Sequence, residues 1–453
     1  MRIAECGFNC GFVFALLVGG CAAAPQQQDS RAIRDLTVLP QDAAAYLGAD
    51  ADKPLLSDQQ AAGHRERFLR MHYAPWDAPA VRTSVDDVRQ PFLKYQRETG
   101  FGENLRPHSP AWAAGLLDQA ELDRFASKHT VPAIAVRNGD LRQLPTNRVR
   151  FDGLEKPGDF YPFDTLQESA VWAGTPLRVW HLTRDQAWAF VECGFSQGWM
   201  DVRDLAYVSP ESMTAWRSAR PLAVVADGAA VHDEAGLFRF QAWIGAIFPA
   251  APAAGASGKT VILVPVADEH RRAVLMPAPV PAAAVAPWPL PATPRQLAAL
   301  ANQMLGQPYG WGGMYEHRDC SSMVRDLFVP LAMWLPRNSG EQARAGELTP
   351  LRDLPPDQRE RAIIAKGVPW LTLVRAVRAS HVMLYLGRRD GRAIIMHHAW
   401  GPKVRLPDGR EGQHVIGRCV ITTLQPGIEL PNLVQPQGDL RTRVESMTRL
   451  GEP

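Results

Sequence analysis

Hydrophobic periodicity changes twice along this 453-residue chain, and those changes restrict it to a multidomain α+β architecture. Up to about residue 125 the apolar positions recur at helical spacing. Ser57-Asp58-Gln59-Gln60 has capping-box spacing and opens a helix expected to reach about Met71. From Ala133 the pattern becomes short apolar runs between turn residues. Residues 133–136, 177–180, 188–191 and 198–200 form one set; 222–225, 236–243, 260–264 and 273–276 form a second. These read as two consecutive all-β modules. Their tryptophans Trp172, Trp180, Trp188 and Trp199 suit small β cores better than an exposed binding stripe. Residues 277–291 are rich in Pro and Ala and read as a stiff linker. After them, helical and strand signals alternate.

The expected boundaries are a leader at 1–21, a tether at 22–44 and a small helical domain at 45–125. The β modules follow at 126–215 and 216–277, a linker at 278–292, an α+β domain at 293–428 and a tail at 429–453. A formal net charge of +2 and the lack of any basic run exclude a nucleic-acid partner. Residues 12–18 form an apolar run too short to span a bilayer but suited to a signal peptide. The run ends at Val18-Gly19-Gly20-Cys21, which resembles a bacterial lipobox. That implies lipidation of Cys21, a membrane anchor and export to the periplasm; Ala22 leans towards the outer membrane.

Without the leader, Cys21, Cys193, Cys320 and Cys419 remain, too few for a disulfide framework. Cys193 and Cys419 sit in strand-like runs. Cys320 differs: Tyr309-Gly310-Trp311-Gly312-Gly313 precedes it, and Asp319-Cys320-Ser321-Ser322 opens an amphipathic helix. Asp319 as the cap places Cys320 in the first turn, where the helix N-terminus is expected to favour a thiolate and hold an oxyanion. Thr293-Pro294-Arg295-Gln296 starts the preceding helix.

For a base, residues 380–386 and 392–398 read as a hairpin joined by a five-residue loop, Gly387-Arg388-Arg389-Asp390-Gly391. Pairing Leu386 with Arg392 sets His381 opposite His397, with His398 on the other face. His317 is read as a solvent-facing loop residue. Zinc is not expected, because no short-spaced ligand pair accompanies Cys320.

Tyr309-x-Trp311-Gly312-Gly313, Asp319-Cys320-Ser321, Leu335-Pro336-Arg337-Asn338-Ser339, Ser380-His381-Val382-Met383-Leu384-Tyr385-Leu386-Gly387 and Met396-His397-His398-Ala399-Trp400-Gly401 resemble the NlpC-type cell-wall cysteine peptidases. Phe163-Asp164-Thr165-Leu166-Gln167-Glu168-Ser169 and Trp172-Ala173-Gly174-Thr175-Pro176 match the first SH3-like module of that family's multidomain branch. The resemblance implies a helical stabilising domain, two SH3-like barrels and a papain-like peptidase domain. It further implies Cys320 as nucleophile, His381 as base, His397 as orienting residue and no cofactor. Tyr309, Ser321, Asn338 and Ser339 would face substrate. The implied substrate is the bond between D-glutamate and a diamino acid in peptidoglycan stem peptides; separately, the chain is expected to act as a monomer. Asn338 stands where relatives often carry an acidic residue for the stem peptide's free amine, and Ser322 where glycine is usual. The competing expectation is an inert wall-binding scaffold, or an amidase of another amide.

Overall fold

The computed structural model describes residues 33–77, 83–125, 130–252, 257–377 and 380–452. The expected leader, its lipidated cysteine and the first part of the tether lie outside these residues. Among the described residues no helix is long and apolar enough to cross a membrane.

Three helices, Asp58–Asp77, Val85–Arg97 and Pro110–Ala120, form the N-terminal helical domain. The expected capping box is present: the Ser57 amide donates to Gln60 Oε1 (3.0 Å) and the Gln60 amide to Ser57 Oγ (3.3 Å). Val88, Phe92, Tyr95 and Ala113 pack with Trp180, Phe190 and Trp199 of the first β module in one apolar cluster. Trp180 and Trp199 are thus core residues, and the helices close one face of that module.

The first module is a seven-stranded antiparallel sheet in the order Gln167–Val171, Gly139–Arg142, Gln197–Asp201, Trp188–Cys193, Pro176–Leu182, Val131–Ala135, Leu205–Tyr207. The second joins Pro221–Val224, Ile247–Pro249 and Val285–Pro287 in one sheet, beside the ribbons Ala229–His232/Phe238–Ala242 and Lys259–Ala267/Ala273–Pro281. The linker expected at 278–292 is therefore corrected. Ala273–Pro281 pairs with Lys259–Ala267 along its whole length, and Val285–Pro287 pairs with Pro221–Val224. Pro277, Pro279 and Pro281 alternate, so their missing N–H groups all fall on the side of the strand turned away from its partner. That arrangement tolerates proline in a ladder.

The C-terminal domain packs the helices Pro294–Met304 and Cys320–Phe328 on a six-stranded antiparallel sheet. Its order is Glu347–Pro350, Val444–Arg449, Thr372–Ala376, His381–Arg389, Arg392–Ala399, Arg418–Thr423. The tail expected at 429–453 is a second correction: Val444–Arg449 lies inside this sheet, paired on both edges. The described part of the tether is a third. Asp35 Oδ2 accepts from the amide and hydroxyl of Thr423 (both 2.8 Å), and Gln41 bonds the Ile421 amide and carbonyl. Residues 33–47 thus run along the open edge of the sheet and satisfy its polar groups.

Candidate active site

Gly306 ends the helix Pro294–Met304, whose Thr293 cap accepts from the Gln296 amide (3.2 Å). The chain then meets the first β module. Gly312 and Gly313 have φ of +62° and +91°. A Cβ on Gly312 would lie 2.6 Å from the Gln167 carbonyl oxygen, and one on Gly313 2.4 Å from the Ala170 amide nitrogen. Glycine is needed at both positions for backbone to press on backbone.

Asp319 then caps the helix Cys320–Phe328. Its Oδ1 accepts from the amides of Ser321 (3.1 Å) and Ser322 (2.8 Å), and Ser322 Oγ accepts from the Asp319 amide (2.9 Å). A serine in place of the usual glycine therefore completes a capping box. Burial alone would raise the Asp319 carboxyl, but the Arg337 guanidinium outweighs it and holds the group well below the carboxylate range. Arg337 Nη2 donates to Asp319 Oδ2 (2.7 Å), Nη1 to Ser321 Oγ (2.9 Å) and Nε to Ser169 Oγ of the first β module (2.8 Å). All four residues are buried.

The Cys320 thiol lies at the head of this helix, 3.8 Å from the Ser380 carbonyl oxygen. The Val382 amide on the other side of His381 is close enough to favour its ionised form. Burial works against the thiolate that the helix N-terminus favours. Burial, reinforced by the Asp319 charge, pushes the thiol up to about 12, because a dry site opposes charge more strongly than one helix terminus favours it. Burial, with the Arg443 charge, lowers His381 to about 3. The resting pair is a neutral thiol beside a neutral imidazole. The rate of iodoacetamide alkylation at Cys320 is therefore expected to climb about tenfold per pH unit from pH 6 to 9, following the small thiolate fraction. A rate that levels off below pH 8 contradicts this.

The imidazoles form a directed chain. His381 Nε2 lies 2.7 Å from His397 Nδ1, and His397 Nε2 lies 3.0 Å from Thr422 Oγ1. The Thr422 hydroxyl donates its proton to the Thr423 carbonyl (2.8 Å), so towards His397 it acts as acceptor. His397 thus carries its proton on Nε2 and accepts at Nδ1. His381 then donates from Nε2, which leaves its Nδ1 as the basic nitrogen. Thr422→Val is expected to free this tautomer and leave the buried His397 N–H without a partner. That costs about 1–3 kcal/mol, or roughly 5- to 150-fold in kcat at unchanged KM. Thr422→Ser should restore the rate, and a valine variant with full kcat would remove Thr422 from the chain.

The two histidines meet by a route other than the expected register. Arg389 pairs with Arg392 across a two-residue turn, Asp390 (φ +49°) and Gly391 (φ +75°), and a bulge between Tyr385 and Gly387 shifts the ladder. Leu384 is then opposite Met396, and His381 reaches His397 diagonally. An Asp-Gly pair with both residues at positive φ is the usual type I′ hairpin turn, which the five-residue loop overlooked. His398 is fully buried, opposite Cys419, and its ring nitrogens have no partner among the described residues.

The other expected site residues divide. Tyr309 is half-buried; burial, with the charge Cys320 carries when ionised and that of Asp319, raises its phenol well above the usual range, so it remains a proton donor. Phe163 of the first β module sets its ring against Tyr309 (6.4 Å), Trp311 (5.2 Å) and Trp400 (6.1 Å), an aromatic wall beside the thiol. Ser321 is taken up by Asp319 and Arg337. Ser339 Oγ donates to the Ser380 carbonyl (2.7 Å), which positions the segment before His381. Asn338 is exposed in a cleft of about 530 Å³ that Glu168 and Glu341 also line. Sequence reasoning missed Arg337, Thr422 and Gln342. Gln342 is fully buried and donates to the Ser321 and Pro336 carbonyls (2.8 and 2.9 Å). Among the described residues no group of three or more His, Cys, Asp or Glu side chains is arranged to hold a metal ion.

Both β modules grip the nucleophile segment. Arg318, 1% exposed, donates to Asp227 and the Ile244 carbonyl of the second module and to Asp326 within the helix. Trp172 of the first module donates from its indole to Asp326 (3.0 Å).

Residues 306–413 match the NlpC/P60 family, and residues 10–125 match the NLPC_P60 N-terminal stabilising domain. Residues 150–201 match the SH3b1-type SH3 domain and residues 209–253 the SH3b2 type. The C-terminal module is an NlpC/P60 domain. A stabilising domain and two SH3 domains precede it, the order of the multidomain branch that the sequence resembles. The chain is similar to a solved NlpC/P60 endopeptidase from Photobacterium damselae subsp. piscicida. The two are 25% identical with a TM-score of 0.81 over 91% of this chain and 98% of that one. An NlpC/P60 family protein from Bacillus cereus ATCC 10987 is 16% identical, with a TM-score of 0.46 over 70% of this chain and 98% of that one. No curated protein matches.

Proposed function

We propose that this chain is a cysteine endopeptidase that cuts the bond between D-glutamate and the diamino acid in peptidoglycan stem peptides. The observation that carries the reading is the thiol at a helix N-terminus against the backbone around His381, with the His381–His397–Thr422 chain behind it. Cys320 passes its proton to His381 Nδ1 as sulfur attacks the scissile carbonyl. His381 then protonates the leaving amine, and water releases the thioester. The N–H groups of the first helical turn and the Tyr309 phenol are the candidate oxyanion donors. Because the thiol and imidazole rest neutral, charge separation coincides with attack, when substrate has filled the site. The likeness to the Photobacterium endopeptidase supports a peptidase reading. Phe163 against Trp311 and the buried Ser169–Arg337 contact tie the first SH3 domain to the nucleophile segment, which supports a preference for short stem peptides over cross-linked wall. Glu168 and Glu341, in the same cleft as the uncharged Asn338, supply negative charge for the peptide's free amine.

In this reading the protein is exported, lipidated on Cys21 and held at the membrane facing the periplasm. It acts as a monomer without a cofactor in wall remodelling or recycling. Stoichiometric labelling tests the chemistry: one iodoacetamide per chain, mapped to Cys320, should coincide with complete loss of peptide hydrolysis. Full activity of the Cys320-alkylated protein would defeat the mechanism. A Cys21→Ser variant that still sediments with membranes would defeat the anchor.

A further inference from the structure

The proton chain behind the thiol can run in either of two directions without a change in net charge, and only one of them serves the reaction. In the direction described above, the Thr422 hydroxyl donates to the Thr423 carbonyl and His397 donates from Nε2 to Thr422. His381 then donates from Nε2 to His397, and His381 Nδ1 keeps its lone pair. In reverse, the same three protons sit at the other end of each bond. Thr422 donates to His397 Nε2, His397 Nδ1 donates to His381 Nε2, and the His381 proton occupies Nδ1, where it blocks the base. The two directions differ in whether the Thr423 carbonyl stays in place to take the Thr422 proton. Both threonines are buried, so the choice falls to protein groups rather than to bulk water.

That carbonyl is held by a residue 388 positions earlier in the chain. Asp35 Oδ2 accepts from both the amide and the hydroxyl of Thr423 (both 2.8 Å), a two-point grip through a single oxygen. With its own proton committed to Asp35, Thr423 Oγ1 accepts from the Gln425 amide (3.1 Å). The peptide unit that bears the Thr423 carbonyl is therefore fixed on both sides. Neighbouring outward-facing groups of this edge strand have other partners. Cys419 bonds Gln307 and Gly306 through its amide and carbonyl (both 2.9 Å), and Gln41 serves Ile421. The segment that carries Asp35 also has footholds that do not depend on its carboxylate. Ala43 is buried in the core that includes the nucleophile helix, and its amide donates to Asn302 Oδ1 (2.7 Å). Asn302 Nδ2 donates to Asp42 Oδ1 (2.7 Å). Removing the Asp35 carboxylate thus leaves residues 33–47 docked and Thr423 unpinned.

We infer that Asp35 is a positioning residue for the base. By fixing Thr423 it sets the direction of the Thr422–His397–His381 chain and keeps His381 Nδ1 free to take the thiol proton. The inference rests on the proposed peptidase mechanism, but the direction of the chain is readable without substrate.

Nitrogen NMR of the imidazoles in the full chain tests this directly. His381 and His397 should both carry their proton on Nε2 in the wild type, and the Nδ1 forms should appear in Asp35→Ala. Asp35→Asn keeps an oxygen acceptor and should retain the wild-type pattern. In hydrolysis of L-Ala-γ-D-Glu-diaminopimelate, Asp35→Ala should lose about five- to tenfold in kcat at unchanged KM, and Asp35→Asn should stay within about twofold of wild type. In a Thr422→Val background Asp35→Ala should cost nothing further, because both act through one hydroxyl. Asn302→Ala, which loosens the same segment farther along, should keep the wild-type kcat. Unchanged imidazole signals in Asp35→Ala, a loss that multiplies with that of Thr422→Val, or an equal loss in Asn302→Ala overturns the inference. Should the wild type leave the peptide intact while the Asp35→Ala tautomers still change, the positioning role stands and the peptidase reading falls.

Discussion

Arg337→Met is expected to destabilise the protein by about 3–5 kcal/mol and to stop catalysis, although Arg337 touches neither the thiol nor the imidazoles in any hydrogen bond described above. Methionine approximates the length of the side chain but leaves the Asp319 carboxylate buried and unpaired at the cap of the nucleophile helix. It also removes the bond to Ser169 that ties this cap to the first SH3 domain. The pH dependence identifies the cause. In the wild type Asp319 is depressed in the fold, so its contribution is present above the unfolded value, about 3.9, and is lost as pH falls through the folded value. In the variant burial raises the group, and only the capping bonds from Ser321 and Ser322 are left to oppose it. The carboxyl is then tolerated when neutral and becomes a penalty as pH rises past about 4. Urea unfolding from pH 7 down to pH 4 should show the gap between variant and wild type narrowing. A gap independent of pH would assign the loss to packing alone.

His381→Ala should lower kcat by about 10⁴- to 10⁶-fold, because nucleophile and base act as one unit. With a neutral, buried thiol, only a trace of thiolate stands ready to react without the base. The double variant with Cys320→Ala should be no slower than either single variant. A double variant slower by the product of the two single effects would show that the residues act independently. Retention of wild-type KM for a bound peptide would confirm that the fold survives.

Much of this arrangement is legible in the chain because local chemistry specifies it. Thr293, Ser57 and Asp319 cap their helices as their spacing implies, and Gly312 and Gly313 occur where two backbones touch. What escapes the sequence is set by distant partners. Val444–Arg449 contains polar Glu445, Ser446 and Thr448 and reads as tail until two flanking strands supply its pairing. The prolines of residues 277–281 read as linker until a one-sided ladder accepts them. Thr422 carries no motif; it matters because the adjacent strand brings it to His397, and Arg337 matters because Asp319 folds against it. The thiol's ionisation follows the same rule. The helix N-terminus is visible in sequence, whereas the burial that outweighs it depends on the whole domain.

The most direct measurement is mass spectrometry of L-Ala-γ-D-Glu-diaminopimelate after incubation with the wild-type chain and with Cys320→Ala. Release of L-Ala-D-Glu and free diaminopimelate by the wild type alone is the predicted result. An intact tripeptide with both proteins, or equal cleavage by both, would contradict a Cys320-dependent γ-glutamyl endopeptidase.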